Sequence, residues 1–434
     1  MNKPFKIGIA GLGTVGAGVV KILTKHADVI SSRAGRDIEI IAVSARNKDV
    51  DRGVDLSGFY WVDDARDLAN YDGLDAVIEL IGGDSGIAAE LVSSALDNSR
   101  HVVTANKALV AHHGYALAKK AEDNGVSLAY EAAVAGGIPI IKSMREGFAA
   151  NEINAVYGIL NGTCNYILTV MRESGRGFDE VLKDAQDLGY AEADPAFDIE
   201  GVDAAHKLCI LTSIAFGVKP DFDALQNDGK IQGITKVNAS DIAYATEFGY
   251  RIKLLGIARS IDGKIMQMVE PCLVPVSSPM GGVEDVYNAV YVDGDFVETS
   301  LLTGKGAGEG PTASSVVADI IDLARGFDIP TFGIEADKLK DASWVNMGET
   351  SSRYYLRFSV IDKAGVIADI SSILKGQNIS IESLSQRGHD EGRSVPIVII
   401  SHESKHAEMI KAVSLIKELE SCTDNPCLMR IEEL

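Results

Sequence analysis

Cysteine is scarce in this chain of 434 residues, and its few copies are scattered. None of the five cysteines forms a CxxC pair, and an odd number of widely spaced thiols suits neither a disulfide framework nor a zinc site. We therefore expect reduced thiols in a cytoplasmic protein. Cys164, beside Asn165, has two interpretations: a nucleophile or, as is commoner, a buried structural thiol. The five are Cys164, Cys209, Cys272, Cys422 and Cys427.

The sequence also lacks long apolar runs and an excess of basic charge. No stretch approaches the ~20 apolar residues that span a bilayer. The N-terminal segment runs directly into a predicted strand, without room for a signal peptide. The formal net charge is -21, which disfavours polyanionic partners because phosphate binding needs a basic face. We expect neither a nucleic-acid nor a membrane partner.

No internal repeat or low-complexity segment interrupts the chain, and its length suggests roughly two to four domains. Over the first ~130 residues, continuous apolar strands alternate with helical patterns, which is typical of a parallel sheet covered on both faces. This region is predicted to be α/β. Its predicted strands are Phe5–Ala10, Ile38–Ser44, Ala76–Ile81, His101–Thr104 and Ser127–Tyr130, and its helices are Val15–Lys25, Ile87–Asp97 and Ala108–Asp123.

The rest of the chain divides at a polar linker, Ser343–Arg353. Before it, residues 132–347 combine long helical patterns with β-rich stretches, and we predict an α+β substrate and dimerisation domain. The predicted helices there are Phe178–Leu188, Ile199–Phe216, Ile242–Leu255 and Ser314–Ala324, and the strands are Ile265–Val276 and Val286–Val292.

After the linker, residues 352–434 show the order strand, helix, strand, strand, helix, strand. This order is typical of a ferredoxin-like βαββαβ domain. In chain order, the predicted elements are Tyr354–Val360, Val366–Lys375, Ser380–Gln386, Val395–Ser401, Ala407–Leu419 and Leu428–Glu432.

A glycine-rich turn follows the first predicted strand and opens the first helix: Gly11-Leu-Gly13-Thr14-Val15-Gly16. A GxGxxG pattern alone is weak evidence, because such turns also occur without a cofactor. Here, Gly11 permits the tight turn, Gly13 lets the backbone approach a pyrophosphate, and Gly16 lets helix and strand pack closely. The helix N-terminus adds N–H donors for phosphate. We predict a Rossmann-type NAD(P)-binding domain over residues 1–131, with a return segment at about 305–340.

The end of the second strand bears on the choice between NAD and NADP. No acidic residue stands at its tip to bind a ribose 2′-hydroxyl, whereas Arg46 and Lys48 can pair with a 2′-phosphate. The same two residues can also be solvated surface cations, and Asp49 or Asp51 can still reach the ribose. NADP is favoured and NAD stays possible.

Three further segments resemble signatures of the homoserine dehydrogenase family. The first contains Lys107 just after the predicted strand His101–Thr104, at the sheet edge where ligands bind. The resemblance covers nearly all of residues 1–340. No aspartokinase domain precedes the sheet here, so the monofunctional form is expected. The three segments are Val-Thr-Ala-Asn-Lys107-Ala-Leu, Gly158-Ile-Leu-Asn-Gly-Thr-Cys-Asn-Tyr-Ile, and Gly189-Tyr-Ala-Glu-Ala-Asp-Pro-Ala-Phe-Asp-Ile-Glu-Gly-Val-Asp-Ala-Ala-His-Lys207-Leu.

The resemblance implies reduction of aspartate semialdehyde to homoserine, on the route to threonine, methionine and isoleucine. Reducing an aldehyde requires a hydride on one face and a proton for the developing alkoxide. By resemblance, Lys207 is the proton donor, Lys107 positions or polarises the carbonyl near the nicotinamide, and Asp203 belongs to the catalytic group. Taken alone, each residue has a simpler interpretation. Lys107 can be a surface lysine, and Asp203 and Lys207 can form an i,i+4 helix ion pair worth ~0.3–0.5 kcal/mol.

An amino-acid substrate carries an ammonium group, which needs carboxylates. Glu192 and Asp203 are similar to the family's substrate ligands, with Asp198 in support and Gly189 in the same segment. A solvated acidic face is the alternative for these acids. At the nicotinamide side the implied residues are Thr104, Lys107 and Gly308, with Glu309 next to it.

The segment after the fifth predicted strand of the sheet resembles the family's monovalent-cation loop. There a sodium ion is held by the carboxylate of Glu131 and the carbonyls of Val134, Gly136 and Ile138. Hard oxygen ligands suit such an ion. Without the resemblance, a plain tight turn would be the better interpretation.

The C-terminal region resembles an ACT domain, an amino-acid-sensing module. The resemblance rests on Asp362-Lys-Ala364-Gly365-Val-Ile-Ala-Asp369, a turn whose N–H groups can receive a ligand carboxylate. The usual proline before the glycine is Ala364 here. Threonine, as pathway end product, is the implied effector, and edge-to-edge pairing implies a homodimer or homotetramer. A purely structural module is the alternative.

Two rival functions stay open at this point. One is a semialdehyde dehydrogenase that works through a cysteine thioester, which would need an activated cysteine with a base nearby. The other is a catalytically inactive amino-acid sensor on a dehydrogenase scaffold. The presence of both Lys107 and Lys207 argues against the sensor.

Overall fold

The computed structural model describes residues 3–386 and 393–434. Residues 387–392, which fall within the predicted C-terminal domain, lie outside the described residues, as do the first two residues of the predicted cofactor domain. The first region is a six-stranded sheet in which every pairing is parallel. Its strands are β1 (Phe5–Ala10), β2 (Ile38–Ser44), β3 (Tyr60–Trp61), β4 (Ala76–Glu79), β5 (His101–Thr104) and β6 (Leu128–Ala129).

The spatial order of this sheet is β3-β2-β1-β4-β5-β6. Because the order reverses at β1, the carboxyl ends of β1, β4 and β5 lie side by side, which is where doubly wound sheets bind ligands. The helices that connect these strands are α1 (Thr14–Lys25), α2 (Ala27–Ala34), α3 (Ile87–Asp97) and α4 (Lys107–Asp123).

A late segment of the chain packs onto this first sheet. The helix α12 (Glu309–Arg325) lies so close to α1 that a Cβ added at Gly18 would come within 3.0 Å of Ala313. Val316, Val317 and Ile320 of α12 share an apolar core with β1 and α1. Chain segments far apart in sequence therefore build this first region together.

The second sheet has ten strands and runs through both the middle and the C-terminal regions. On its main path the order is β11-β10-β7-β8-β9-β16-β12-β14-β13, and the short β15 pairs with β12. Its strands are β7 (Ile153–Ile159), β8 (Tyr250–Ile261), β9 (Lys264–Pro275), β10 (Tyr287–Gly294), β11 (Glu298–Lys305), β12 (Ser351–Ile361), β13 (Ile381–Gln386), β14 (Ser394–Ser401), β15 (Ser404–Lys405) and β16 (Cys427–Ile431).

Helices cover this second sheet and carry the residues of the candidate site. In the middle region they are α5 (Ile140–Lys142), α6 (Gly162–Ser174), α7 (Phe178–Asp187), α8 (Ala196–Ile199), α9 (Val202–Phe216), α10 (Phe222–Gln226) and α11 (Ala239–Glu247). In the C-terminal region they are α13 (Val366–Gly376) and α14 (His406–Lys417). Among the described residues, no helix is both long and apolar enough to cross a membrane.

The C-terminal region has the predicted ferredoxin-like arrangement. Its four main strands lie in the order β16-β12-β14-β13 with α13 and α14 packed on them, and they enclose an apolar core of their own. The chain order βαββαβ is therefore confirmed, with the two-residue β15 as an addition that the sequence did not indicate.

The join between the two halves of the ten-stranded sheet was not predicted. Arg430 and Ile431 of β16 pair in parallel with Cys272 and Leu273 of β9, so the C-terminal domain continues the sheet of the middle region. Three ion pairs with one partner on each side of the join accompany this pairing: Arg259 with Glu432, Arg430 with Glu270 at 2.9 Å, and Arg357 with Asp241 at 2.6 Å. Removing one partner of such a buried pair would leave the other charge uncompensated, so each pair couples the two regions at the join.

One predicted helix is wrong over half of its length. The sequence predicted Ile242–Leu255 as helical, but α11 ends at Glu247 and β8 begins at Tyr250. Gly249, with φ of 83°, turns the chain between them. The apolar run that follows is buried on both faces of the sheet, and periodicity cannot separate a buried strand from a helix.

Other differences concern where single helices and strands begin and end. The predicted helix Ile199–Phe216 is confirmed as α9 but begins three residues later, at Val202, because Gly201 with φ of 85° separates it from the short α8. The polar linker predicted as Ser343–Arg353 ends earlier, since β12 already begins at Ser351. The sequence missed α2, α6 and the strands β3, β7 and β11 altogether.

Candidate active site

The glycine-rich turn has the geometry that its three glycines predict. Gly11 has φ of 97°, and a Cβ there would lie 2.5 Å from the carbonyl oxygen of Leu80. A Cβ on Gly16 would lie 2.0 Å from the carbonyl oxygen of Gly11, whereas a Cβ on Gly13 would meet nothing within 4 Å. The first and third glycines therefore allow close packing, and the second leaves the start of α1, at Thr14, open to a ligand.

A cavity of about 820 Å³ lies beside this turn, within the usual size range of ligand pockets. It spans the carboxyl ends of β1, β2 and β4, as a dinucleotide site of a doubly wound sheet does. Thr14, Val15 and Gly16 form the beginning of α1 behind the turn. The turn and strand residues that line the cavity include Gly11, Leu12, Gly13, Ser44, Arg46, Leu80 and Ile81.

The structure separates the two cations proposed to select NADP. Arg46 lines the cavity, but Lys48 is not among its lining residues and its Nζ lies 5.8 Å from the ring centre of Trp61. The sequence analysis missed Arg52, which lines the cavity and donates from Nε to the carbonyl oxygen of Leu12 at 3.1 Å. Long-range placement of this kind leaves no local signal in the sequence.

Acidic residues also line the cavity, but they are not the ones that the sequence analysis considered. Asp63 and Asp64 belong to the lining, whereas Asp49 and Asp51 do not. The side chain of Asp64 accepts from Arg66, and this hydrogen bond lowers the pKa of Asp64 to about 2. Asp64 is therefore an ionised carboxylate that already has a cationic partner.

Thr104 is a buried support of the sheet edge. Its Oγ1 donates to Oε2 of Glu79 at 2.6 Å and accepts from the backbone N–H of Asn106 at 3.0 Å. Glu79, at the end of β4, also accepts from the backbone N–H groups of Ile81 and Gly82. The sequence analysis missed Glu79, although an acidic residue that ends a buried parallel strand is a usable signal.

One carboxylate brings together the two predicted catalytic lysines. Asp203 of α9 accepts at Oδ2 from Nζ of Lys207 at 2.7 Å, and its Oδ1 lies 3.1 Å from Nζ of Lys107 at the start of α4. The side chain of Lys107 is 32% exposed and that of Lys207 only 11%. Lys107 therefore reaches solvent beside the first sheet, while Lys207 lies buried in the middle region.

Further hydrogen bonds hold this cluster in place. Lys207 also donates to the carbonyl oxygen of Leu160 at 2.7 Å. Asn161, which caps α6, donates from Nδ2 to both Asp203 and Asp198 at 2.8 Å. Asn161 belongs to the segment that begins at Gly158, but no local pattern in the sequence marks it as a site residue.

The two carboxylates of the cluster differ in their acidity. Burial alone would raise the pKa of Asp203, but the nearby charges of Lys207 and Lys107 outweigh burial and hold that pKa below its usual range. For Asp198, burial and then the negative charge of Asp203 raise the pKa. Asp203 is therefore the firmly ionised partner of both lysines.

An aromatic stack borders the lysine cluster. The ring of His206 stacks on Phe222 at 4.2 Å and on Phe197 at 5.6 Å, and its Nε2 lies 3.2 Å from Nε2 of His112. Phe197 also lies 5.5 Å from Nζ of Lys107. Burial, and then His112, lower the pKa of His206 to about 4, so its ring is neutral near pH 7. The sequence analysis missed this stack.

Cys164 is a structural thiol. It is fully buried at the first turn of α6, and its Sγ lies 3.3 Å from the carbonyl oxygen of Asp198, to which it donates. Burial, and then the charge of Asp198, raise the pKa of this thiol well above its usual value. A protonated, buried thiol is a poor nucleophile, which removes the basis for the thioester rival.

The remaining predicted substrate residues lie in an exposed loop. Glu192 is exposed, and its carbonyl oxygen accepts from Gln186 at 3.0 Å. Gly189 has φ of 75°, which suits the turn after α7. Among the described residues, no ion pair joins Glu192 to Lys107 or Lys207, so the structure brings Asp198 and Asp203 together but leaves Glu192 apart.

Gly308 marks the return of the chain to the cofactor region. It has φ of 117° and precedes α12 directly. The next residue, Glu309, pairs with Lys21 of α1 at 2.7 Å and therefore ties the two helices together. This contact gives Glu309 a packing role, while Gly308 leaves the start of α12 free of a side chain.

The predicted cation loop is a buried turn held by many hydrogen bonds. Both carboxylate oxygens of Glu131 accept backbone N–H groups, from Ile141 at 2.9 Å and Lys142 at 2.8 Å. Burial, and then the nearby Asp319, raise the pKa of Glu131 to about 7. The loop residues that complete the predicted ligand set, Val134, Gly136 and Ile138, are also buried.

Comparisons with known proteins agree with this geometry. The family described as "Homoserine dehydrogenase" matches residues 139–321, and its NAD-binding domain matches residues 11–131. The ACT domain matches residues 354–421. A homoserine dehydrogenase of Pseudomonas aeruginosa is 44% identical over 441 residues, covering 100% of both chains, and one of Neisseria gonorrhoeae is 44% identical over 439 residues, covering 100% of this chain and 99% of that protein. The chain belongs to the homoserine dehydrogenase family.

Solved structures support the assignment along the whole chain. A homoserine dehydrogenase from Thiobacillus denitrificans is 42% identical, covers 99% of each chain and superposes with a TM-score of 0.93. A hyperthermophilic archaeal homoserine dehydrogenase in complex with NADPH is 26% identical, with a TM-score of 0.63, and covers 75% of this chain and 99% of its own. The chain is therefore an oxidoreductase with a nicotinamide-binding domain and a C-terminal ACT domain.

Proposed function

We propose that the chain interconverts aspartate semialdehyde and homoserine, with Lys207 as the proton donor to the developing alkoxide. The observation that carries this proposal is the pair of lysines held by Asp203, one at each oxygen. A bound reduced nicotinamide supplies the hydride. Lys207 delivers the proton, and Lys107, closer to the cofactor sheet, stabilises negative charge on the carbonyl oxygen. Asp203 keeps both ammonium groups in place.

We propose that the substrate ammonium is bound by the carboxylates of the same region. Asp198 lies next to Asp203 through Asn161, which donates to both. Glu192 stands on the neighbouring exposed loop with Gly189 at its base, so it reaches the substrate only if that loop closes over the site. A bound amino-acid substrate supplies the attraction for such a closure.

Replacing Lys207 tests the role of proton donor. General acid catalysis contributes about 10²–10⁴-fold, so Lys207→Ala should lower kcat by ~10²-fold or more. Cofactor affinity should stay within about twofold, because Lys207 is not among the residues that line the cavity beside the glycine turn. Steady-state kinetics with aspartate semialdehyde and a fluorescence titration with NADPH measure the two effects. A kcat near that of the wild type would remove Lys207 from the mechanism.

We propose NADP as the preferred cofactor, with Arg46 as the main partner of its 2′-phosphate. Arg46 is a cation that lines the cavity at the end of β2, where the ribose of a dinucleotide lies in such folds. Arg52 provides a second cation in the same wall. Lys48, which the sequence also predicted, contacts Trp61 instead and has a smaller part.

Single substitutions separate these cations. Arg46→Ala should raise KM for NADP by ~10-fold or more and leave the kinetics with NAD nearly unchanged, since only a phosphate contact is lost. Lys48→Ala is the matched control and should change either KM by about twofold at most. Initial-rate measurements with both cofactors decide. An equal loss for NAD and NADP in Arg46→Ala would make Arg46 a structural residue.

We propose that a monovalent cation, sodium by resemblance, binds at the loop of Glu131 with the carbonyls of Val134, Gly136 and Ile138. The donor set fits, because it combines one buried carboxylate with backbone oxygens on a tight turn. Gly136, with φ of 46°, brings the turn so close to Gly306 that a Cβ would lie 2.3 Å from the carbonyl oxygen of Gly306.

Thermal unfolding tests this cation site. Replacing a bulky organic cation by sodium at constant ionic strength should raise Tm by a few degrees, because a ligand that binds only the folded state stabilises it. Glu131→Gln should abolish that increase, while Glu146→Gln, at an exposed acid nearby, should leave it intact. The same Tm in both cations would contradict the proposal.

We propose that the ACT domain binds threonine at the turn of Gly365 and that binding changes affinity at the active site. Gly365 has φ of 97°, and a Cβ there would meet nothing within 4 Å. The start of α13 is therefore open, as a carboxylate site at a helix N-terminus requires. We also propose a homodimer or homotetramer, in which the open edge strand β13 pairs with a second copy.

A point substitution tests threonine sensing better than truncation. Removal of residues 351–434 would take away β16 and leave Glu270, Arg259 and Asp241 without their ion-pair partners. We expect instead that Gly365→Val keeps activity but weakens threonine binding by ~5-fold or more, because a branched side chain would obstruct the backbone N–H groups of the turn. Calorimetry and inhibition assays measure both.

The matched control is Gly326→Val, which places the same residue at another open position with positive φ, 80°. It should carry a similar backbone strain and bind threonine normally. Calorimetry that shows no threonine binding to the intact protein, with activity indifferent to millimolar threonine, would leave the ACT domain a structural module.

A further inference from the structure

A second large cavity lies at the join between the ACT domain and the middle region. Its volume is about 780 Å³, within the size range of small-molecule sites. One wall comes from the ACT domain, including β16 and α14. The opposite wall comes from the segment 231–237 and from β9. The cavity is far along the chain from Gly365, which does not line it.

Arg430 gives this cavity its chemistry. It is only 4% exposed, its Nε lies 2.9 Å from Oε1 of Glu270, and its guanidinium lies 5.4 Å from the ring centre of Tyr354. Among the described residues its Nη2 has no hydrogen-bond partner. A buried guanidinium nitrogen without a hydrogen bond costs folding free energy. An anion bound at Nη2 would supply the missing hydrogen bond and lower that cost.

The surrounding charges also favour an anion. Lys236, on the middle-region wall, and Lys417, at the end of α14, line the cavity together with Arg430. The carboxylates of the lining are Glu200 and Glu270. His406 also lines the cavity. Burial, and then the positive charge of Arg430, lower the pKa of His406 to about 4, so this histidine adds no charge near pH 7. Positive charge therefore exceeds negative charge in the lining.

The cavity wall is connected to the catalytic helix. In the segment 231–237, the backbone N–H of Ile234 donates to the carbonyl oxygen of Ile199 at 2.9 Å, and a Cβ on Gly233 would lie 1.9 Å from that same oxygen. Ile199 is followed by Glu200, which lines the cavity, and by Gly201, which precedes α9. Movement of this wall must therefore displace the start of the helix that carries Asp203.

We propose that this cavity is a regulatory site for a small oxyanion metabolite, a carboxylate or a phosphate, whose acid group is bound by Arg430. The occupied cavity holds the ACT domain and the segment 231–237 together and so fixes the start of α9. This site is separate from the turn of Gly365 and goes beyond the proposed threonine sensing. It gives the enzyme a second route from the ACT domain to the active site.

Calorimetric titration of the full-length protein with malonate and, separately, with inorganic phosphate tests the site at constant ionic strength. We expect the wild type to bind at least one probe with a Kd in the millimolar range or below, and the stronger probe shows which acid the site takes. Arg430→Met combined with Glu270→Gln, which removes both buried charges together, should raise that Kd by ~10-fold or more.

A pair of exposed lysines on α14 provides the matched control. Lys417→Ser should raise the Kd by ~3-fold or more, because Lys417 lines the cavity, whereas Lys411→Ser, on the same helix outside it, should leave the Kd unchanged. This pair decides the question even if the buried double variant does not fold. Gly365→Val should bind the probe as the wild type does, which separates this site from the threonine proposal.

Hydrogen exchange measures the coupling without an activity assay. Adding the probe that binds, malonate or phosphate, should slow amide exchange in residues 199–207 and 230–237 of the wild type. The same probe concentration should not slow exchange there in Lys417→Ser. Three results would overturn the proposal: no binding of either probe, equal effects of Lys417→Ser and Lys411→Ser, or binding without any change in exchange at residues 199–207.

Discussion

The ion pairs of Asp203 are the contact on which the active site depends. This buried carboxylate joins α9 of the substrate region to Lys107 of the cofactor sheet, and it holds Lys207 one helical turn away. Burying a charge is costly unless it is paired, so each of the three groups keeps the others in place. The proposed catalytic geometry and the contact between the two regions therefore depend on the same interaction.

Local patterns in the sequence predicted much of this structure. The glycine turn, five of the six strands of the first sheet and the βαββαβ order of the C-terminal region are set by neighbouring residues, and the structure confirms them. The i,i+4 spacing of Asp203 and Lys207 also placed them together correctly. Family resemblance was still needed to separate these residues from an ordinary helix ion pair.

What the sequence did not show depends on contacts between distant segments. The stack of His206 on Phe222, the second hydrogen bond of Asn161 and the place of Arg52 in the cofactor cavity all arise from folding. The wrong helix at Ile242–Leu255 has a different cause, since an apolar run buried on both faces of a sheet lacks a decisive period. Roles for Glu192 and the cation loop stay predictions.

The continuous ten-stranded sheet bears on the regulation proposed for the ACT domain. A sensor domain on a flexible linker would make no fixed contact with the catalytic region. Here β16 pairs directly with β9, and buried ion pairs join the ACT domain to the middle region. Segment 231–237 then lies between this join and the backbone that precedes α9. A change in the ACT domain therefore has a short, packed path to Asp203.

Substitution of Asp203 by asparagine is the most direct test of the account. Asn keeps the shape of the side chain but removes the charge that both lysines share. We expect Asp203→Asn to lower kcat by ~10²-fold or more, with the Kd for NADPH within about twofold of the wild type. Asp198→Asn, the matched change at the neighbouring carboxylate, should lower kcat by ~10-fold at most. A near-normal kcat in Asp203→Asn would contradict the central role of this carboxylate.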